Sequence, residues 1–277
     1  MLELIELHSF PLELHKRWEI ERSRVAQAIT PRTRAIVVVN PNNPTGSYVT
    51  PGEQDELAKF GIPIISDEVF FEYALGPEVH AEQREASAEQ PRGTPPSARL
   101  RRRSLAALGI NCETLTFTLG GLSKSAGLPH YKLGWIRVSG PGAREAIEAL
   151  ELIADNYLSV ATPVQRALPD LLRIAPAIRD AIRARTQLNL DVLTRAIELA
   201  PGARLLPVEG GWSAVIRVPS IESDEELALR LIEQHGVVVY PGYFFDFDGD
   251  GYLVVSLLTR PDVFAEGVSR IAGSLPG

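Results

Sequence analysis

Arg34-Ala-Ile-Val-Val-Val39 runs directly into Asn40-Pro-Asn-Asn-Pro-Thr-Gly46. A short, uninterrupted run of β-branched residues is typical of a buried strand, and the Asn-, Pro- and Gly-rich residues after it predict a tight loop at its carboxyl end. Thr50-Pro-Gly-Glu53 then matches a capping box with proline at the first helical position, so a helix should follow and end at Gly61. The stretch therefore predicts a strand–loop–helix unit.

Further strands are predicted on both sides of a long connection, at residues 62–66, 114–119 and 132–138. Strands that alternate with helices over short connections indicate a parallel sheet with helices packed against it. Residues 76–103 are rich in Pro, Glu, Ala and Arg without a clear period, and we interpret them as a solvent-exposed connection. This half of the chain should form an α/β domain.

The pattern changes after Gly140. Helical periodicity predicts helices at residues 143–154, 164–174, 177–199 and 224–234 and from Pro261 onward, with Pro163 and Pro176 at helix starts. Strand-like segments are residues 205–208, 213–218, 236–240 and 252–257. We predict an α/β fold with a three-layer, mainly parallel sheet in residues 1–175 and a smaller α+β domain with a long linking helix in residues 176–277.

Composition excludes several classes of protein. The 277 residues carry a net charge of −7, so they lack the basic surplus that favours nucleic acid or anionic lipid as a partner. Cys112 is the only cysteine, which rules out an internal disulfide and a cysteine-rich metal site; we interpret it as a small core residue. Charged residues interrupt the first twenty positions, which argues against a signal peptide or membrane span. We expect a cytoplasmic protein with no metal site.

Three polar segments follow three predicted strands, and open α/β sheets bind ligands at that edge. They are the loop at Asn40–Gly46, Ser66-Asp-Glu-Val-Phe70 and Gly120-Gly-Leu-Ser-Lys124. Taken singly, the first could be only a turn, Asp67 only a cap and Lys124 only a solvated surface charge. Their occurrence together and in this order favours a binding site.

The three segments resemble motifs of the aminotransferase class I/II family of pyridoxal-phosphate enzymes, whose fold type is that of aspartate aminotransferase. They are similar to the family's Asn-Pro-x-Asn-Pro-Thr-Gly, Asp-Glu-Val-Tyr and Ser-x-Ser-Lys. The resemblance covers essentially the whole chain. It implies pyridoxal 5'-phosphate as cofactor, an amino acid and a 2-oxo acid as substrates, and a homodimer.

The same resemblance implies roles for four residues. Lys124 would hold the cofactor as a Schiff base and then move the substrate's α-proton as general base and acid. Asp67 would pair with the protonated pyridine nitrogen, which keeps the ring an electron sink. Asn43 would hydrogen-bond the phenolic oxygen of the cofactor. Lys132 would take the place of the family's phosphate-binding arginine, supplying its charge without its bidentate fork.

The chain also departs from the family pattern. Phe70 replaces a tyrosine, Gly121 a phosphate-contacting serine, and Val254 the arginine that binds the substrate carboxylate. Residues 1–30 resemble chain that follows the first part of the large domain in full-length relatives, so the segment before them would be absent. We expect that absence to weaken cofactor binding and to expose a face or edge of the sheet.

Other functions fit the same motifs. The cofactor chemistry is shared with lyases and decarboxylases, and a non-catalytic or degenerate aminotransferase-like module is a further possibility. Gly210-Gly-Trp212 and Tyr240-Pro-Gly-Tyr-Phe-Phe245 resemble segments of the family's small domain that approach the substrate and shape the cleft; taken alone, each is also compatible with a turn or with aromatic core packing.

Overall fold

The computed structural model describes residues 5–75, 114–157 and 159–275; the predicted connection at residues 76–103 and Cys112 lie outside them. In chain order the strands and α-helices are β1 (Glu13–Leu14), β2 (Trp18–Glu19), α1 (Arg22–Ala28), β3 (Ile36–Val39), α2 (Pro51–Ala58), β4 (Ile64–Asp67), β5 (Thr116–Gly121), α3 (Leu122–Ser125), β6 (Gly134–Ser139), α4 (Ala143–Ala154), α5 (Thr162–Glu198), β7 (Arg204–Leu205), β8 (Ser213–Arg217), α6 (Asp224–His235), β9 (Tyr240–Pro241), β10 (Tyr252–Ser256) and α7 (Pro261–Ser274).

The first sheet has the order β3-β4-β5-β6, and its first three strands are parallel, as predicted. β6 runs antiparallel to β5. The reason lies in the turn between them: the main-chain N–H of Leu122 donates to the carbonyl of Leu133 at 2.9 Å, so the chain folds back on the same edge of the sheet. A parallel pair would need a crossover to the opposite edge. The predicted α/β fold with a mainly parallel sheet is confirmed, and β6 is the antiparallel strand of this sheet.

The two faces of this sheet differ in burial. On one face Ile36, Val38 and Ile64 are buried and pack with Val25 of α1 and Leu57 of α2. On the other face Val37 of β3 is 54% exposed and Ile136 of β6 is 50% exposed. No side chain of α4 is buried. This second face is therefore partly exposed at β3 and β6.

The capping box predicted at Thr50 is present and starts α2: the Thr50 hydroxyl accepts from the Glu53 main chain, and the Glu53 carboxylate accepts from the Thr50 main chain. A second capping box, formed by Ser223 and Glu226, starts α6. Both helices begin within one residue of the predicted position, because caps are local sequence signals.

The prediction of two helices on either side of Pro176 was wrong. α5 is one continuous helix from Thr162 to Glu198 with Pro169 and Pro176 inside it. A proline inside a helix removes a hydrogen bond and crowds the preceding turn, but packing overrides this propensity here. Leu171 and Ala175 pack beside the first sheet, while Leu190 and Leu193 pack in the core of the second. The predicted domain boundary at 175/176 falls within this helix and stays a prediction.

The second sheet has the order β7-β8-β10-β9 and is antiparallel throughout. The strand predicted at residues 236–240 was wrong over most of its length, because Gly236 adopts a left-handed conformation, with φ 64°, and caps the end of α6. Asp224, only 1% exposed, fixes both ends of the loop between β9 and β10. Its carboxylate accepts from the main-chain N–H groups of Gly242 at 3.1 Å and Tyr252 at 3.0 Å. Among the described residues, no helix is both long and apolar enough to cross a bilayer.

Candidate functional site

The carboxyl ends of β3, β4 and β5 lie level with one another. Val39 pairs with Asp67, and Asp67 pairs with Leu119. The pairing continues one residue further, because the Asn40 N–H donates to the Asp67 carbonyl at 2.8 Å and the Glu68 N–H donates to the Leu119 carbonyl at 3.1 Å. The three polar segments predicted from the sequence therefore start side by side at one edge of the sheet.

The loop after β3 is tightly held by its own hydrogen bonds. The Asn42 N–H donates to the Ser47 carbonyl and the Gly46 N–H to the Asn42 carbonyl, both at 2.8 Å. The Asn40–Pro41 and Asn43–Pro44 peptide bonds are cis. Asn40 is fully buried, whereas Asn43 is exposed and its Oδ1 accepts from the Ser213 hydroxyl at 3.3 Å. The loop thus presents Asn43 outward from a fixed backbone.

Asp67, the last residue of β4, is half-buried. Its Oδ1 accepts from the Val69 N–H at 3.1 Å, the local turn that a lone Asp after a strand would form. Within the described residues no cation pairs with Asp67. The neighbouring Glu68 is buried and accepts from the Ser66 hydroxyl at 3.1 Å. The two adjacent carboxylates therefore accept hydrogen bonds from different donors.

Lys124 lies on α3, the single helical turn that continues β5. Two contacts to the segment after β4 fix its backbone: the Tyr73 hydroxyl donates to the Lys124 carbonyl at 2.6 Å, and the Ser125 hydroxyl donates to the Val69 carbonyl at 3.3 Å. The side chain of Lys124 is half-buried, and its ammonium has no hydrogen-bond or ion-pair partner in the described part of the chain. A carboxylate and an ammonium, neither with an ionic partner among the residues that the structure describes, thus lie at the ends of adjacent strands.

An aromatic cluster of Phe70, Tyr73 and Trp212 borders these groups. The Trp212 ring meets Phe70 edge-on at 5.1 Å and Tyr73 at 4.9 Å between centroids. Burial raises the pKa of Tyr73 to about 12, with a further rise from Glu72 and an opposing effect of Arg179. The Tyr73 hydroxyl therefore stays protonated and keeps donating to Lys124. Sequence reasoning did not single out Tyr73, although it lies three residues after Phe70 in the same segment.

Lys132 is exposed and has φ 51°, which is uncommon for a residue other than glycine. It follows a 3-10 turn at Pro129–Tyr131 and precedes Leu133, whose carbonyl binds the first residue of α3. The structure thus places the backbone of Lys132 beside the start of the turn that carries Lys124. At Gly121 an added Cβ would lie 3.2 Å from the Leu133 carbonyl oxygen, so the pairing of β5 with β6 leaves little room for a serine there.

Glu209 to Ser213, which we term the junction segment, brings the second sheet to this edge. The Leu75 N–H donates to the Glu209 carbonyl and the Gly211 N–H to the Tyr73 carbonyl, both at 2.8 Å. An added Cβ at Gly210 would lie 2.9 Å from the Tyr73 carbonyl oxygen, so only glycine fits this approach. The segment is therefore bound directly to the chain that follows β4.

Arg17 holds the junction segment through charge. Its Nε donates to the Glu209 carboxylate at 3.1 Å and its Nη1 lies 3.2 Å from Glu53. A further Nη2–H donates to the Tyr48 carbonyl, and the Tyr48 N–H donates to Glu209 at 2.8 Å. Burial disfavours the charged guanidinium, but the hydrogen bonds and charges of Glu209 and Glu53 outweigh it and raise the pKa of Arg17. Sequence reasoning missed this group, because its members are far apart in the chain.

The position expected for a carboxylate-binding arginine is apolar. Val254 is 1% exposed and packs in one cluster with Trp18, Leu206 and Val215. Arg260, the next arginine after β10, pairs with Asp262 at 2.5 Å, and both side chains are exposed. Neither residue supplies a free cation at the strand ends. The described residues also contain no cluster of three or more His, Cys, Asp or Glu that could hold a metal ion.

Replacing Arg17 with methionine should destabilise the protein, because the change keeps the side-chain length but leaves Glu53 and Glu209 as uncompensated, partly buried charges. We expect a loss of about 2 to 3 kcal/mol of unfolding free energy, measured by urea denaturation at pH 7. Arg22→Met is the matched control, since its ion pair with Glu56 is exposed on both sides and contributes little. Equal effects of the two changes would contradict the role given to Arg17.

Tyr73→Phe removes the donor to Lys124 and should cost about 1 kcal/mol near neutral pH. The folded-state pKa of Tyr73, about 12, lies above that of an unfolded tyrosine, so the wild type loses stability relative to the variant as pH rises through 10 towards 12. The stability difference between the two proteins should therefore shrink over that interval. Urea unfolding of both at several alkaline pH values measures it, and a constant difference would refute the assignment.

Known proteins resemble this chain along most of its length. The family model described as aminotransferase class I and II matches residues 2–271. An arginine–pyruvate transaminase from Pseudomonas aeruginosa is 29% identical over 274 residues, covering 95% of this chain and 61% of that protein. An alanine aminotransferase from Mycobacterium tuberculosis is 26% identical over 270 residues, covering 93% of this chain and 57% of that protein.

A solved structure, an alanine aminotransferase from Pyrococcus furiosus, superposes with a TM-score of 0.73 at 22% sequence identity. The superposition covers 95% of this chain and 63% of the other. At this level of identity the likeness shows the shared fold. The chain spans about three fifths of the length of the curated relatives it matches.

Proposed function

The chain belongs to the aminotransferase class I and II family, and from that premise we propose that it is a pyridoxal-phosphate-dependent aminotransferase that moves an amino group between an amino acid and a 2-oxo acid. The observation that carries the proposal is the level pairing of β4 and β5, which sets Asp67 beside the end of the strand that leads into Lys124. The two side chains have opposite charge, and neither has an ionic partner among the described residues.

The chemistry of these side chains fits the cofactor. Pyridoxal phosphate presents a carbonyl carbon, a ring nitrogen, a phenolic oxygen and a phosphate. The strand ends offer an amine at Lys124, a carboxylate at Asp67, an amide at Asn43 and a cation at Lys132. Members of this family depend on pyridoxal phosphate.

When bound, the cofactor supplies an electron sink for the carbanion left by proton loss. Lys124 Nζ would hold the cofactor covalently and, once the substrate's amino group displaced it, would take the α-proton of the substrate and return it. Asp67 would keep a proton on the ring nitrogen by holding a negative charge beside it. Asn43 would donate from Nδ2 to the phenolic oxygen. Trp212 and Phe70, whose rings are in contact, would help to exclude water from the proton transfer.

The substrate side follows from the family and from the relatives. The two curated relatives described above are named as an arginine–pyruvate transaminase and an alanine aminotransferase, and we propose an amino-acid donor and a 2-oxo-acid acceptor for this chain. We further propose a homodimer, as the resemblance implies. We also propose a cytoplasmic location, because a chain with a single cysteine is typical of a reducing compartment.

Covalent attachment at Lys124 tests the proposal directly. Purified protein is mixed with pyridoxal phosphate, reduced with borohydride and digested, and the modified peptide is identified by mass spectrometry. We expect the adduct on Lys124, its loss in Lys124→Ala, and its retention in Lys59→Ala, which removes an exposed lysine that pairs with Glu56. The proposal fails if the wild type forms no adduct that Lys124→Ala lacks.

Products then separate transamination from the lyase and decarboxylase reactions that share the same first step. Incubation of the loaded protein with an amino-acid donor should consume the donor catalytically only when a 2-oxo acid is present. Turnover without the acceptor would indicate elimination or decarboxylation instead.

Lys132→Asn separates charge from backbone conformation at the proposed phosphate position. Asparagine tolerates the left-handed region better than lysine, so folding stability should be unchanged or slightly raised. Cofactor affinity should fall by about tenfold, because one charge-assisted contact is lost. Unfolding curves and a cofactor titration measure the two effects, and unchanged affinity would remove Lys132 from the site.

A further inference from the structure

One side chain of the second sheet contacts a residue proposed to bind the cofactor. The hydroxyl of Ser213 donates to Asn43 Oδ1 at 3.3 Å across a sequence separation of 170 residues. We propose that Ser213 is a positioning residue that sets the side-chain amide of Asn43 with its N–H groups towards the ligand. The inference rests on the proposed function, because the ligand acceptor is the phenolic oxygen of the cofactor.

The position of Asn43 does not depend on Ser213. Asn43 lies within the loop that Asn42, Ser47 and Gly46 close through main-chain hydrogen bonds. A further bond from the Thr45 hydroxyl to Asn42 Oδ1 at 2.9 Å braces the same turn. These bonds do not fix the rotation of the Asn43 side chain, because Asn43 is exposed and its side chain takes no part in them.

Ser213 is also fixed independently of Asn43. It is the first residue of β8 and pairs with Ser256 of β10. Two residues earlier, the Gly211 N–H donates to the Tyr73 carbonyl, which ties the junction segment to the first sheet. An added Cβ at Gly46 would lie 2.4 Å from the Gly210 carbonyl oxygen, so the two loops are in direct contact. The hydroxyl therefore reaches Asn43 from a rigid backbone.

The contact with Ser213 determines which end of the Asn43 amide faces the ligand. An asparagine side chain has an acceptor end and a donor end that exchange places by rotation about the terminal torsion. With Ser213 donating to Oδ1, both Nδ2 hydrogens remain for an oxygen of the ligand. The opposite rotamer would turn Oδ1 towards that oxygen and place two acceptors together. In the described chain the Asn43 side chain has no other hydrogen-bond partner that would select one orientation.

Ser213→Ala should therefore weaken binding of pyridoxal phosphate. We expect the dissociation constant, measured by absorbance titration, to rise about three- to tenfold, the loss of one neutral hydrogen bond. Ser213→Thr keeps the hydroxyl and should bind like the wild type. Ser220→Ala is the matched control: it removes an exposed hydroxyl bonded to the Asp250 carbonyl, away from the strand ends, and should bind like the wild type as well.

A pH titration gives a readout that a merely structural role would not move. Loss of the oriented donor should raise the pKa of the cofactor chromophore bound at Lys124 in Ser213→Ala, and Ser213→Thr should restore it. In an Asn43→Ala background, Ser213→Ala should have no further effect on affinity or on that pKa. An equal effect of Ser213→Ala with and without Asn43 would overturn the proposal.

A cofactor-free measurement keeps the inference separate from the proposed function. Urea unfolding of the wild type, the two single variants and the Asn43→Ala, Ser213→Ala double variant should show non-additive midpoints. Additive midpoints would show that the two side chains do not interact and would overturn the inference, whether or not the cofactor binds. Coupled midpoints in a protein that forms no Lys124 adduct would refute the proposed function and keep the contact.

Discussion

The guanidinium of Arg17 is shared by two carboxylates that would otherwise repel one another, Glu53 at the start of α2 and Glu209 in the junction segment. Since all three side chains are largely withdrawn from water, removing the guanidinium leaves both carboxylates uncompensated. The ion pair with Arg17 also fixes Glu209, whose carboxylate accepts a second hydrogen bond from the Tyr48 N–H. The placement of the second sheet against the first depends on this group, and the contacts of Gly210 and Ser213 depend on that placement.

The sequence was sufficient for the part of the candidate site that local signals encode. Strand ends, turn residues and capping boxes act over a few positions, so the edge that carries Asn43, Asp67 and Lys124 could be predicted from three short segments. Because β3, β4 and β5 pair in parallel and in register, their carboxyl ends lie side by side, and the three segments that follow them are brought close together. The α/β fold and most helix starts could be predicted for the same reason.

The rest of the site depends on contacts between residues distant in sequence. Arg17 and Glu209 are 192 positions apart and Ser213 and Asn43 are 170 positions apart, and no periodicity marks either pair. Pro176 and Gly236 show the same limit for secondary structure. Packing of α5 against two cores carries the helix through a proline, and a left-handed glycine caps α6 where hydrophobicity alone suggested a strand.

The two sheets contribute different kinds of side chain to the candidate site. The first sheet and its loops carry the ionisable side chains of Asp67, Lys124 and Lys132, whereas the second brings Trp212 and Ser213, which are neutral, and has buried Val254 where an arginine was expected. Charges withdrawn from water at a junction between sheets need counter-charges there, and Arg17, Glu53 and Glu209 supply them for one another. A neutral donor needs a hydrogen-bond acceptor but no counter-charge. The ionisable side chains Asp67, Lys124 and Lys132 therefore come from the first sheet and its loops, whereas the junction segment contributes a hydroxyl that contacts Asn43 and an indole ring that contacts Phe70.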